Sequence, residues 1–405
     1  MGNEQEFLND IYKLFNVDNP KKLIDIINDK MKLFEITAFQ MGKMLSINKS
    51  SFDRLIKKIE VGDIEKVDFY TILKISEFLG ISINEISQIY VSSLKKEFIA
   101  ELEISKKANI LHQYFDLKGL KKYGFIKDVY DVKAIENRIL SFFGIENLHQ
   151  YYSEIGGILF SKTKKSFNDK MREFWVRSAY YQFLKIDNPN EYDREKLLTL
   201  IPKIRPYTQH VKTGFLTILR ALYNVGVTVI VQQHLTKTQV RGGTFRIEDK
   251  PCIVLTNLNG HYGTLWFALL HEVYHVLFDF EDLKIWKYHL TGEPDLGLYE
   301  KENLADYFSL EILFPKEKME YIKSVIDSPL TIQQYAKQNN VHPAIIYDFY
   351  CYEEYKNGNN YSSKYSQFIG SSEIALSEVI MNPWNKKTIF EEVKKVKDLL
   401  ETKYS

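Results

Sequence analysis

The chain has 405 residues, 45% of them hydrophobic and 14% aromatic, which predicts two or three domains with buried cores and excludes a disordered polymer. Its formal net charge of +1 and its two cysteines exclude a globally basic nucleic-acid coat protein, a disulfide framework and a cysteine-based zinc ribbon. Because the acidic start lacks a signal-peptide pattern and no uncharged apolar run approaches the roughly 18 residues of a membrane span, we expect a cytoplasmic protein without membrane contact.

Short helical patterns occupy residues 1–95. The apolar spacing predicts two helices before residue 30 and then three more over Phe39–Leu45, Lys49–Ile59 and Thr71–Leu79. Residues 31–95 resemble an Xre-type helix-turn-helix domain, notably in the Leu-Gly-Ile-Ser-x-x-Glu-Ile sequence that ends at Ile86. Ser46 stands in the turn where that family usually has glycine. The resemblance implies that the N-terminal part of the chain binds double-stranded DNA.

The helix at Lys49–Ile59 is the candidate recognition helix of this domain. Such a helix offers polar side chains to base edges and cations to phosphates. The side chains with this expected role are Lys49, Ser50, Ser51, Arg54, Lys57 and Lys58. Residues 43–58 hold five basic residues and one acidic residue, so the positive charge is local. The alternative is a small dimerisation domain with a solvated basic face, and a homodimer would then be the partner.

The rest of the chain divides into three predicted parts. Residues 96–205 keep a helical period and form a connecting domain to which the sequence assigns no chemistry. Residues 206–350 mix helices with β-branched runs and predict an α+β domain, and residues 351–405 predict a helical extension. The elements predicted for the α+β domain are a helix at Thr208–Tyr223, strands at Val227–Gln232, Gly243–Ile247 and Cys252–Thr256, and helices at Tyr262–Asp279 and Glu300–Leu313. The predicted fold class is therefore mainly α with one small sheet.

Residues 271–275 read His-Glu-Val-Tyr-His. Histidines at i and i+4 share one helix face, so His271 and His275 can bind one zinc ion. Glu272, one residue after the first ligand, can reach a water molecule whose pKa zinc lowers to about 7, and can act as general base. The alternative is an amphipathic helix with two ordinary histidines, but the residues around the motif are uncharged, as a buried metal helix requires.

A catalytic zinc ion needs a third protein ligand and an open fourth position. Glu302 and Asp306 are four residues apart on the next predicted helix, so Glu302 can bind the metal while Asp306 accepts a hydrogen bond from a ligand histidine. Glu300 and Glu311 compete for the ligand role. The alternative is that all these carboxylates are solvated charges on a helix face.

The order of these residues resembles the ImmA/IrrE family of zinc metallopeptidases over roughly residues 200–350. The resemblance depends on the His271–His275 motif, on Glu302-x-x-Ala-Asp-x-Phe and on the Ile-Leu-Phe-Pro sequence that ends at Pro315. It implies a thermolysin-like, gluzincin-type site with His271, His275 and Glu302 as Zn²⁺ ligands and Glu272 as base. The chain departs from the family at Tyr274, Asp306 and Phe314, where glycine, asparagine and methionine are usual.

Two further features of a peptidase site stay open at this stage. The group that stabilises the tetrahedral oxyanion could be His261, Tyr262 or Tyr274, and the sequence does not choose between them. The strand Gly243–Ile247 could pair with the backbone of an extended substrate, or it could be an ordinary edge strand.

Three functions agree with these observations. The first is a metallopeptidase with a DNA-binding head, a regulator that cleaves a partner protein such as a repressor or an antitoxin. The second is suggested by fused members of the family: a HigA-like antitoxin and transcriptional repressor that binds a toxin and operator DNA with little or no proteolysis. The third is a sensor in which zinc occupancy alone changes the affinity for DNA.

Overall fold

The computed structural model describes residues 22–92, 94, 96–153, 167–235, 238, 240–258, 260–283, 288–290 and 299–402. It forms two compact units, Met1–Ile110 and Leu111–Ser405. The predicted domain boundaries near residues 95, 205 and 350 are finer than this division and stay predictions. Within the described ranges, no helix is both long enough and apolar enough to cross a membrane.

The first unit is a cluster of short helices around one apolar core. Its helices are α1 (Leu23–Leu33), α2 (Ala38–Met44), α3 (Lys49–Glu60), α4 (Phe69–Leu79), α5 (Ile83–Ser92) and the first part of α6 (Lys96–Tyr114). The core includes Leu23, Ile27, Met41, Phe52, Leu55, Ile59 and Ile75. The helices predicted at 39–45, 49–59 and 71–79 are confirmed with ends shifted by one or two residues. Of the two helices predicted before residue 30, α1 contains the second, and the first lies outside the described residues.

Side-chain caps explain why these helices begin where they do. Thr37 and Gln40 form a capping box at α2, and the Asn48 side chain accepts a hydrogen bond from the Ser51 backbone at the start of α3. Between the two helices Ser46 has a φ of 56°. A left-handed conformation costs a non-glycine residue about 1–2 kcal/mol, which is the physical reason for a glycine preference at such a turn.

The second unit begins with helices that lead to the sheet. They are α7 (Leu117–Lys122), α8 (Val132–Phe143), α9 (Leu148–Ser153), α10 (Phe167–Ile186), α11 (Arg194–Leu200) and α12 (Gly214–Asn224). The prediction of a helix from Thr208 was wrong at its start. Arg205–Gln209 is a 3₁₀ turn that contains Pro206, and the Gly214 and Thr213 amides both donate to the His210 carbonyl, so α12 begins only at Gly214.

A small mixed sheet follows, with the order β4-β2-β3-β1-β5. Its strands are β1 (Thr228–Gln232), β2 (Gly242–Ile247), β3 (Lys250–Leu255), β4 (Tyr288–Leu290) and β5 (Ile380–Met381). β1 runs parallel to β3 and β5, whereas β2 runs antiparallel to β3 and β4. The predicted hairpin and first strand are confirmed. The prediction of a wholly helical C-terminal stretch was wrong, because β5 adds a parallel strand beside β1.

The remaining helices pack around the sheet and position the site. They are α13 (Tyr262–Phe278), α14 (Tyr299–Leu313), α15 (Lys316–Lys323), α16 (Pro329–Gln338), α17 (Pro343–Lys356), α18 (Ser366–Ile369), α19 (Glu373–Leu376) and α20 (Val393–Glu401). α13 follows β3 and contacts β2, β3, α14 and α17, so it is enclosed on several sides. The described chain is therefore mainly helical with one small mixed sheet, as predicted.

Candidate metal centre

Helix α13 carries both histidines into the interior. Its side chains are apolar on nearly every face, and Leu269, Leu270 and Val273 are fully buried, which is typical of a core helix. His271 and His275 are four residues apart and project from the same face. Each is only 1% exposed, so both imidazoles need polar partners inside the protein.

Glu302, in the first turns of α14, faces the two histidines. His271 Nε2 lies 3.5 Å from Glu302 Oε2, His275 Nε2 lies 3.3 Å from Oε1, and the two Nε2 atoms are 3.2 Å apart. A tetrahedral ion with bonds of about 2.0–2.1 Å needs ligand atoms roughly 3.3 Å from one another. The spacing of these three donors fits that requirement, and the three residues could hold a metal ion.

Two other glutamates, Glu300 and Glu311, were alternative candidates for the third metal ligand. Glu311 accepts a hydrogen bond from the Lys316 backbone at the other end of α14. The side chain of Glu300 lies outside the described residues. Within the described part of the chain, His271, His275 and Glu302 form the group that could hold a metal.

A carboxylate contacts the Nδ1 atom of each imidazole. His271 Nδ1 lies 3.0 Å from Asp306 Oδ1, as predicted, and His275 Nδ1 lies 2.8 Å from Asp279 Oδ2. A carboxylate accepts a hydrogen bond from Nδ1–H, so for a neutral imidazole this arrangement favours the tautomer with an unprotonated Nε2. Both Nε2 lone pairs then point toward Glu302, where a cation would bind.

Asp279 and Lys301 were missed by the sequence analysis. The Lys301 ammonium lies 2.6 Å from Asp279 and 2.5 Å from Asp282, so it joins the end of α13 to the start of α14 beside Glu302. The spacing of His275 and Asp279 is again i,i+4, and this signal could have found Asp279. No sequence pattern identifies the contact between Lys301 and the two aspartates.

The site attracts positive charge. Burial by itself lowers the pKa of the His271 imidazole, but hydrogen bonds with Asp306 and Glu302 and the nearby Glu272 charge outweigh it and raise that pKa to about 10. For His275, burial is likewise outweighed by Asp279 and Glu302, and its pKa is raised. Burial would raise the pKa of Asp279, but its bonds with His275 and Lys301 lower it. The carboxylates around the imidazoles thus favour a bound cation, either a proton or a metal ion.

Glu272 is fully buried and faces strand β2. Thr244 Oγ1 donates a hydrogen bond of 2.7 Å to Glu272 Oε2 and also lies 3.2 Å from the Glu272 carbonyl oxygen. A Cβ atom at Gly242 would lie 2.6 Å from Glu272 Oε1, so only glycine allows this close approach. β2 therefore fixes the carboxylate beside the histidines. No local sequence pattern identifies Thr244 as a neighbour of Glu272.

The structure separates the three candidates for oxyanion stabilisation. His261 precedes His271 by ten residues, about 15 Å along a helix axis, and bonds to Asp348. The Tyr262 hydroxyl is buried and donates to the Thr208 carbonyl. Tyr274 packs edge-on against His275, with ring centroids 5.6 Å apart. Of the three, Tyr274 alone lies against a residue of the metal group.

The sequence left open whether β2 pairs with a substrate or is an ordinary edge strand, and the structure shows a neighbouring strand on both sides of it. β2 pairs with β3 along one side, and on the other Gly243, Thr244 and Phe245 pair with β4. β4 is only three residues long and follows a chain segment without strand periodicity, so the sequence did not predict it. A peptide could reach the backbone of β2 only where β4 is displaced.

The six predicted DNA-binding residues all lie on α3. Lys49, Ser50, Arg54 and Lys57 are exposed, and the last three follow the i, i+4, i+7 spacing of one helix face. Ser51 and Lys58 are half-buried. The Ser51 backbone amide donates to the Asn48 side chain that caps the helix, and the Lys58 ammonium donates to the Lys66 carbonyl 2.9 Å away. The structure thus presents four of the six residues on the surface and shows structural contacts for the other two.

No family model, curated protein or solved structure matched the chain.

Proposed function

We propose that this protein is a zinc-dependent metallopeptidase whose N-terminal unit binds DNA. The spacing of the donor atoms of His271, His275 and Glu302 carries the metal assignment, because it is the spacing that a tetrahedral ion requires. The resemblance of this region to the ImmA/IrrE family supports the same assignment. When bound, zinc would supply a Lewis acid that polarises a carbonyl group and lowers the pKa of a water molecule to about 7.

Each residue of the site has a proposed role. His271, His275 and Glu302 hold the metal ion, while Asp306 and Asp279 orient the two imidazoles. The Glu272 carboxylate accepts a proton from the attacking water and delivers it to the leaving amine. The Thr244 hydroxyl keeps that carboxylate from rotating away.

The position of Glu272 favours a catalytic site over a structural one. A structural zinc site is closed by four protein ligands, whereas the described residues supply three. Burial of an additional carboxylate is costly, and a metal site that only holds the fold together gains nothing from it. Glu272 is nevertheless fully buried next to both histidines, where a general base would be needed.

The exposed basic face of α3 supports the proposed DNA-binding role. Among the described residues, Lys49, Arg54 and Lys57 have no carboxylate partner, so their charges are available to phosphates. We propose that the whole chain is a regulator that cleaves a partner protein, such as a repressor or an antitoxin.

One observation favours the second candidate, an antitoxin-like repressor that binds its partner without cleaving it. β4 occupies the side of β2 where a substrate backbone would reach Glu272. A peptidase would be latent while β4 is paired with β2. A protein in which β4 never leaves β2 would act only by binding its partner protein.

The test compares wild type with Glu272→Gln in a cleavage assay on a synthetic peptide library, with and without a chelator. We expect zinc-dependent cleavage by wild type and a loss of at least about a hundredfold in the variant, which keeps its zinc. Cleavage at the wild-type rate by Glu272→Gln would refute the role of Glu272. Absence of cleavage by zinc-loaded wild type would favour the antitoxin-like candidate.

A further inference from the structure

A pocket of about 160 Å³ lies between the first half of α13 and helix α17. Its wall is largely aromatic, with Phe267 from α13 and Phe349, Tyr352 and Tyr355 from α17. The Phe267 ring lies 6.0 Å from the ring of Phe349 and 6.3 Å from that of Tyr352, measured between centroids. The three rings form one continuous apolar surface.

This pocket adjoins the metal centre at two points. On one side the Phe267 ring lies 6.0 Å from the ring of the metal-group residue His271. On the other side the pocket is lined by Arg241, which directly precedes Gly242, the residue that contacts the Glu272 carboxylate. The pocket therefore shares Phe267 with the surroundings of His271, and its wall continues through Arg241 into the strand that contacts the Glu272 carboxylate.

Three polar residues of the wall are paired with one another. Asp348 Oδ1 lies 3.1 Å from His261 Nδ1, and the Thr264 hydroxyl donates a hydrogen bond of 2.9 Å to Asp348 Oδ2. These three groups satisfy one another, so this part of the wall needs no charged ligand. An apolar cavity of about 150 Å³ accommodates a benzene ring, so this space fits an aromatic or a large aliphatic side chain.

Arg241 supplies a charged group of the pocket wall that is not paired. Within the described part of the chain, its guanidinium makes no hydrogen bond and no ion pair, and the residue is half-buried at the pocket wall. A guanidinium carries five N–H donors and no acceptor. It is therefore suited to bind a backbone carbonyl oxygen of a peptide whose side chain enters the pocket.

We propose that this pocket selects substrates: it binds an aromatic or large aliphatic side chain next to the scissile bond, while Arg241 binds the adjoining backbone carbonyl. The proposal rests on the proposed peptidase function. It adds the substrate class, which is an extended peptide with a bulky apolar residue at the cleaved position.

Two neighbouring serines allow a matched test. Ser362 lines the pocket and Ser363 does not, and both side chains are exposed, so a tryptophan at either position leaves the core intact. Tryptophan at Ser362 obstructs the pocket. With the peptide library, we expect Ser362→Trp to lower kcat/KM at least about tenfold for peptides with phenylalanine or leucine at the cleaved position. Peptides with alanine there, and the control Ser363→Trp, should keep the wild-type values.

A binding measurement separates failure of the pocket from failure of the peptidase. N-acetyl-4-fluorophenylalanine amide is followed by ¹⁹F NMR with zinc-loaded wild type, Ser362→Trp and Ser363→Trp. The proposal predicts binding to wild type and Ser363→Trp and its loss in Ser362→Trp, whether or not any peptide is cleaved. Absence of binding to wild type, or equal binding and equal cleavage preference in both variants, would overturn the pocket assignment. Binding without any cleavage would reject the peptidase function alone.

Discussion

At the scale of single residues, the site depends on which nitrogen of each histidine faces inward. Asp306 and Asp279 accept from the two Nδ1 atoms, and this leaves both Nε2 atoms toward Glu302. Lys301 lies against Asp279 and so adjoins the same network. The orientation of the ligands is therefore set by residues that do not touch the metal position themselves.

A substitution at Gly242 tests whether the position of the Glu272 carboxylate controls the cleavage rate. In Gly242→Ala the new methyl group would meet Glu272 Oε1 at 2.6 Å, so the carboxylate must move while the metal group stays in place. Because a displacement of about 1 Å can cost about a hundredfold in rate, we expect cleavage to fall by roughly that factor with zinc content unchanged. Peptide cleavage and metal analysis of the same sample test this. An alanine variant that is as active as wild type would contradict the close approach.

The single residues differ in how far the sequence could predict them. The metal group and Asp306 follow from i,i+4 spacing on two helices, and the same rule would have found Asp279. Thr244 and Gly242 reach Glu272 from a strand almost thirty residues away, and only the packing of β2 on α13 brings them there. Contacts of this kind are set by tertiary structure and leave no local pattern.

At the scale of elements, β4 is the feature that most affects the proposed activity. It pairs with three β2 residues, one of which is Thr244, the hydrogen-bond partner of Glu272; the register is Gly243 with Leu290, Thr244 with His289 and Phe245 with Tyr288. A substrate peptide that binds by β-strand addition to β2 must displace this pairing before it can be cleaved.

Weakening β4 should therefore raise the cleavage rate. His289→Pro removes a backbone N–H from the strand, and its matched control, His289→Ala, keeps it. The loss of one or two backbone hydrogen bonds corresponds to a several-fold to roughly tenfold gain in cleavage of library peptides. If His289→Pro is no faster than His289→Ala, β4 does not restrict access to β2.

Helix α3 allows a prediction about DNA. Arg54 is exposed on the basic face, whereas Lys32 is an exposed cation on α1. We expect Arg54→Ala to weaken binding to a random-sequence duplex and to reduce the salt slope by about 1, because one phosphate contact is lost. Fluorescence anisotropy over a range of salt concentrations measures both quantities, with Lys32→Ala as the control. Equal behaviour of the two variants would argue against α3 as the DNA-binding element.

The long periodic elements were predictable and the short ones were not. α13 and α14 were predicted to within one residue, because each has a strong start or stop signal and a long apolar pattern. β4 and β5 have three and two residues, too few for any period to appear. The start of α12 was misplaced because Val211, four residues before Phe215, extends the apolar spacing of the helix, although the chain forms a 3₁₀ turn and a second turn there.

At the scale of the whole molecule, each unit has one proposed chemical role. The first unit exposes the basic face of α3, which we propose binds DNA, and the second contains the metal group and the aromatic pocket. Under this proposal the chain is a regulator in which proteolysis and DNA binding serve the same response. The metal group is the part on which the remaining roles of the second unit depend.

The most direct test is the zinc content of the purified protein, measured for wild type, Glu302→Ala and the control Glu311→Ala. Glu311 lies on the same helix but bonds to the Lys316 backbone and does not belong to the metal group. We expect about one zinc ion per chain in wild type and in Glu311→Ala, and its loss or severe weakening in Glu302→Ala. Absence of bound metal in wild type after zinc is supplied, or full occupancy in Glu302→Ala, would contradict the proposed metal centre.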